Sequence, residues 1–283
     1  MTPFLFLLLA STPDAGPAVT PRALARPVEV AADALEILGK ENQAIYSGHA
    51  RAKRDSATIT CERIHVFYRG QDILRIEATG GVEVTDGDRW AKGERADFDN
   101  LTGVLVVTGA PQARQGKNQV EGSKVTFTVG SDLLEVDDAR TLFTDAPVAG
   151  TKQERVRIDA KRLTLLGQKN QAVWSGKVRA RRGTAEIFSE ELIAHYTEGG
   201  AQEVTRLTAL RGVEVKDGER WAQGDRADFD NRRGVLVLTG NPQARQGKNH
   251  LKGSRVELTV GTERLEVQDA VTVFEPEVLE EKR

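Results

Sequence analysis

Residues 88–118 read DRWAKGERADFDNLTGVLVVTGAPQARQGKN, and residues 219–249 read ERWAQGDRADFDNRRGVLVLTGNPQARQGKN. At an offset of 131, 24 of the 31 aligned positions are identical. Upstream, NQAIYSG at 42–48 returns as NQAVWSG at 170–176, an offset of 128. Downstream, GSKVTFTVG at 122–130 returns as GSRVELTVG at 253–261. The change of offset puts about three extra residues in the second copy, between Tyr196 and Gly212. The unit is far longer than the ~20–50 residues of a solenoid or propeller repeat, so each copy reads as a domain. The chain divides into a leader and spacer (1–27), a first copy (28–145), a joint (146–154), a second copy (155–275) and a charged tail (276–283).

Inside each copy, apolar and polar residues alternate over four to six positions before Gly, Asn or Asp intervenes. ALEIL (34–38), RIHVF (63–67), LRIEA (74–78), GVEV (81–84), KVTFTV (124–129) and LLEV (133–136) are examples. Period two marks half-buried strands. DG at 86–87, GG at 80–81 and DN at 99–100 read as turns. No stretch keeps a 3.6 period over three turns. The expected fold is all-β, with very short antiparallel strands in a folded-over sheet or solenoid and almost no helix.

One apolar face then runs down the strands. In the first copy it carries Leu35, Ile37, Ile59, Ile64, Val66, Ile76, Val84, Phe98, Val106, Phe127 and Val136. In the second it carries Leu163, Leu165, Ile187, Leu192, Val215, Phe229, Val237, Leu258 and Val267. Most are medium-sized aliphatics, and aromatics are only 5% of the chain. Alternation alone does not distinguish a closed core from an open groove.

Composition narrows the function. The 283 residues hold 40 Lys plus Arg against 42 Asp plus Glu, which leaves no basic field for nucleic acid. The one cysteine, Cys61, excludes an intrachain disulfide and a CxxC metal cluster, and in TITC it reads as a small buried hydrophobe. His49, His65, His195 and His250 have no counterpart in the other copy, so none marks a repeated metal or acid–base site. Glu94/Asp97/Asp99 and Asp225/Asp228/Asp230 do recur. Paired carboxylates suit glycoside hydrolysis, yet here they alternate with Phe and lead into Asn and Gly, as a solvated hairpin flank does. No nucleophile elbow, P-loop, zinc-protease or dinucleotide motif is present. The sequence is read as a non-enzyme that needs no cofactor or metal. Trp90 and Trp221 read as packing anchors at a bend, and Arg114, Lys117, Arg245 and Lys248 of PQARQGKN as exposed loop charge.

The first ten residues, MTPFLFLLLA, are apolar from Phe4 to Ala10. Such a run is shorter than the ~20 residues of a membrane span and matches the apolar region of a signal peptide. Export is the expectation, although no Lys or Arg precedes the run and no clean A-x-A site follows it.

YSGHARAKRDSATITCERIHVFY (46–68) resembles the opening of the OstA-like, or LptA-type, lipopolysaccharide-transport domain. RWAKGERADFDNLTGVLVVTGAPQARQGKNQVEGSKVTFTVGSDLLEV (89–136) is similar to its second half, and LTGNPQARQGKNHLKGSRVELTV (238–260) carries the closer form. The resemblance covers nearly all of both copies. It implies two tandem half-open, V-shaped antiparallel sheets of jelly-roll type in the periplasm, with the apolar face lining a groove for lipopolysaccharide acyl chains. It also implies partners among the inner-membrane and outer-membrane components of the lipopolysaccharide-transport complex, and head-to-tail joining of copies through edge strands. The chain departs from the single-domain form by fusing two units. The competing reading is a structural β-scaffold that pairs edges and binds no lipid.

Overall fold

The computed structural model describes residues 27–115, 118–144, 155–197, 203–247, 249–259, 262 and 264–273. The apolar leader, the joint and the charged tail lie outside them. The first copy holds β1 (Glu29–Ala31), β2 (Ala34–Leu38), β3 (Gln43–Arg54), β4 (Ala57–Arg69), β5 (Asp72–Asp86), β6 (Arg89–Asp99), β7 (Val104–Thr108), β8 (Gln112–Gln115), β9 (Asn118–Glu121), β10 (Lys124–Thr128) and β11 (Leu133–Thr144). The second holds β12 (Arg155–Leu166), β13 (Gln171–Arg182), β14 (Ala185–Tyr196), β15 (Val204–Asp217), β16 (Arg220–Asp230), β17 (Val235–Thr239), β18 (Gln243–Gln246), β19 (Asn249–Lys252), β20 (Arg255–Thr259), β21 (Leu265–Gln268) and β22 (Val271–Val273). Two 3₁₀ turns, Gly39–Glu41 and Gly167–Lys169, are the helical residues among those described.

Among the described residues, 22 strands form one antiparallel sheet. Long strands pair with their successors, and the short ones are halves of interrupted strands: β7 and β8 both pair with β6, and β1 and β2 both pair with β3. The sheet is continuous from the first copy into the second, because β11 pairs with β12 from Leu133 opposite Leu166 to Thr144 opposite Arg155.

The strands are longer than the alternation suggests, and the reason is local. GG at 80–81 is not a turn but a bulge inside the fifteen-residue β5, where the register with β6 shifts between Thr79 and Val82. Comparable shifts occur at Ser47/Ala50, Ser175/Val178 and Leu210/Val213. A bulge adds a residue on one strand and bends it. Gly80 has φ +83°, and a Cβ there would lie 2.8 Å from Glu62 Cβ, so the bend needs glycine on two counts. In line across neighbouring strands, the bulges form a corner that divides the sheet into two arms. DG at 86–87 and DN at 99–100 do lie at strand ends, as read.

The arms face each other over an apolar interior. Ile64, Ile76, Leu105, Phe127, Leu134, Leu163 and Leu192 on one arm and Val82, Val84 and Ile158 on the other are each less than 2% exposed. The outward faces carry cross-strand ion pairs such as Arg75–Asp97 and Arg95–Glu77. Both sheet ends remain unpaired among the described residues: β1 and β2 at one end, β21 and β22 at the other.

Val106 and Val237 are corrected by this register. Val106 sits opposite Asp97 and Val237 opposite Asp228, on the outer face, whereas Leu105, Leu236 and Leu238 point inward. VLVV and VLVL are apolar on both faces, so only pairing with β6 and β16 decides which residues turn in.

Candidate functional site

The interior opens at the mouth of the second copy, at the strand ends away from the corner. On one arm a cross-strand row runs Leu207, Phe229, Leu236, Leu258. On the other, Ala180, Ile187 and Val215 stand opposite one another in the same way, with Val156 beside them. Between the rows lies a cavity of about 100 Å³. Its lip is charged. Arg182, Ala185, Asp217 and Arg220 follow across β13 to β16, and Arg181 also lines the cavity. Asp217 and Arg220 form an ion pair, with side chains 27% and 16% exposed, and Arg220 Nη1 donates to the Thr262 carbonyl at 2.6 Å. Arg181 Nε lies 3.5 Å from Glu186.

The matching mouth of the first copy is nearly shut, with a cavity of about 20 Å³. Phe127 stands where the second copy has Leu258, with the Arg89 guanidinium 5.7 Å from its ring centroid. Arg54 lies 5.4 Å from the Phe98 centroid and donates to Asn100 Oδ1 at 2.7 Å. The Asp86–Arg89 ion pair, equivalent to Asp217–Arg220, is buried.

Of the residues expected on the apolar face, Ile59, Ile64, Val66, Ile76, Val84, Phe98, Phe127, Val136, Leu163, Leu165, Leu192, Val215, Phe229 and Leu258 are buried in one cluster. Ile187 and Val267 pack against it half-buried. Leu35 and Ile37 share that face, opposite Tyr46 and Ala44, but on the edge strand they are 52% and 65% exposed. The interior is therefore filled along its middle and uncovered at the edge strand β2. The sequence reading missed Leu207, Leu236, Val156, the small Ala180 and Ala185, and the lip pair Asp217 and Arg220. Alanine occurs on both faces and gives no alternation signal. The lip pair was visible only as the flanks of the repeated DG turn.

The recurrent carboxylates serve structure. Asp97 takes a bidentate contact from Arg75, and Asp99 accepts the backbone N–H groups of Leu101 and Thr102 at 2.9 Å each. The Thr102 N–H leads in holding the Asp99 carboxyl below its ordinary range. Asp230 caps Arg232 and Arg233 identically. His65 bonds Gln43 Oε1 at 2.9 Å, and burial pushes His195 down, with Arg206 adding to it. Burial pushes the Cys61 thiol up. Trp90 and Trp221 are outer-face residues whose indoles donate to Glu83 and Glu214, not anchors of the interior. Among the described residues no cluster of His, Cys, Asp and Glu is placed to hold a metal. None of their helices is long and apolar enough to cross a membrane.

An uncharacterized protein of Rhizobium meliloti (strain 1021) is 26% identical over 123 residues, covering 40% of this chain and 66% of the relative. The chain thus spans just under two thirds of that protein. The crystal structure of LptH, the LptA homologous periplasmic component of the conserved lipopolysaccharide transport device from Pseudomonas aeruginosa, aligns over 90% of this chain and 100% of its own. Identity there is 11% and the TM-score 0.19. The family described as LptA/(LptD N-terminal domain) LPS transport protein matches residues 29–132 and 157–264, one match in each copy. With most of both repeats covered, the chain belongs to the LptA/(LptD N-terminal domain) family of LPS transport proteins.

Proposed function

We propose that this chain is a periplasmic carrier and bridge for lipopolysaccharide, holding lipid A acyl chains between the arms of its folded sheet on their way from inner to outer membrane. The observation that carries the reading is the single apolar interior running through both copies and left uncovered at Leu35 and Ile37. Each methylene moved from water into such a surface gains about 0.8 kcal/mol. Smooth aliphatic walls of Val, Ile and Leu hold a chain without a fixed pose, which suits a cargo that must move on. The unpaired strands at the two ends offer backbone N–H and C=O groups to inner-membrane and outer-membrane partners, or to another copy.

The filled middle of the interior favours the other reading, a scaffold that pairs edges without lipid. Mass spectrometry of the protein purified from its native envelope separates them. Lipopolysaccharide in near-stoichiometric amount supports the carrier. Lipid-free protein that still captures its edge-pairing partners leaves the scaffold.

A further inference from the structure

We infer that the two mouths divide the work: that of the second copy holds a ligand, an acyl chain bearing an anionic headgroup, while that of the first is closed by its own side chains. The inference rests on the carrier reading and adds where the chain sits. Both mouths are built from equivalent residues, yet the second encloses about 100 Å³ and the first about 20 Å³. Two side chains differ at the centre, Phe127 against Leu258 and Ile76 against Leu207, and the first pair differs more in size and shape. Phe127 is 1% exposed and lies beneath Arg89, whereas Leu258 borders open space. Around them the lip changes too. Asp86 and Arg89 are 6% and 8% exposed, but Asp217 and Arg220 are 27% and 16% exposed. The apolar walls Leu207, Ile187 and Phe229 suit a methylene chain. Three guanidinium groups, Arg181, Arg182 and Arg220, against the two carboxylates of Asp217 and Glu186, leave the mouth net positive, which suits an anion there. Phosphate and carboxylate heads share that chemistry.

The test titrates the full chain with cis-parinaric acid, a fluorescent fatty acid, and with its neutral methyl ester. The parent should bind about one equivalent, the acid more tightly than the ester. Leu258→Phe, which copies the first mouth into the second, should weaken binding by about tenfold or more, since a filled core site has no room for a guest. Phe127→Leu should add a second equivalent, and it decides the matter even if Leu258→Phe folds poorly by circular dichroism. Arg181→Gln should weaken the acid several-fold and leave the ester unchanged. A parent that binds no probe overturns both the carrier reading and this one. A parent that binds, with affinity unchanged by Leu258→Phe or stoichiometry unchanged by Phe127→Leu, overturns the division of work alone. Identical affinities for acid and ester overturn the anionic head.

Discussion

Trp174 Nε1 donates to Thr141 Oγ1 at 2.9 Å across the interior, from one arm to the other at the seam between the copies. Both residues are buried, at 0% and 2% exposure. In the first copy the matching position is Tyr46, which packs half-buried beneath the open edge strand. The seam is thus the place where the larger aromatic is needed, because there the interior closes. Thr141→Val leaves a buried indole N–H without a partner, at a cost of about 1–3 kcal/mol. Trp174→Phe removes the donor, so Thr141→Val on that background should cost much less. Urea denaturation of the two single variants and the double gives the coupling. Strictly additive costs would show that the bond contributes nothing.

The sequence made the tandem plan legible because the repeat is nearly verbatim, and the inward set legible wherever charge alternates with hydrophobe, as in ADFD (96–99) and KVTFT (124–128). It failed where physics beyond one strand decides. Gly80 and Gly81 carry the chemistry of a turn and of a bulge alike, and only the continuing ladder to β6 makes them a bulge. Val106 became an outward residue through its partner Asp97. The cavity opens where the second copy has Leu258 in place of Phe127, two apolar residues that the repeat alone does not tell apart in role.

A sheet that continues from β11 to β12 should unfold as one unit. Thr164 sits in β12 between Glu135 and Val173. Thr164→Pro removes a ladder donor in a central strand. The parent should show one calorimetric transition and the variant two, because the copies come apart at the seam. A variant that melts in one transition at the parent's temperature would argue that the joint carries no stability.

The corner gives a paired glycine test. A Cβ at Gly80 meets Glu62 Cβ at 2.8 Å, while one at Gly81 meets nothing within 4 Å, and both have positive φ. Gly81→Ala should cost about 1 kcal/mol for its backbone conformation. Gly80→Ala should cost clearly more, about 2–3 kcal/mol, with the clash added. Thermal midpoints that rank the two the other way would contradict the corner geometry.

Asp137 bridges two strands, 2.7 Å from Lys124 Nζ and 3.0 Å from Arg162 Nε, with its side chain 23% exposed. The Lys124 hydrogen bond, then that of Arg162, holds its carboxyl below the ordinary range despite burial. A depressed folded pKa gives stability that is present above the unfolded value and lost as pH falls through the folded one. Asp137→Asn should therefore lower stability by about 0.5–1 kcal/mol at neutral pH, and by almost nothing once acid protonates the parent's carboxyl. A constant difference across the pH range would show that the ion pairs do not contribute.

The claim that the interior carries lipid is tested most directly by photo-crosslinking in cells. A photoreactive residue is placed at Ile37 or Ile187, which face inward at the edge and at the mouth, or at Glu36 or Val237, which face outward. Irradiation should attach lipopolysaccharide at Ile37 and Ile187 and at neither outward position. Equal labelling of both faces, or no labelling at any of the four, would contradict the account.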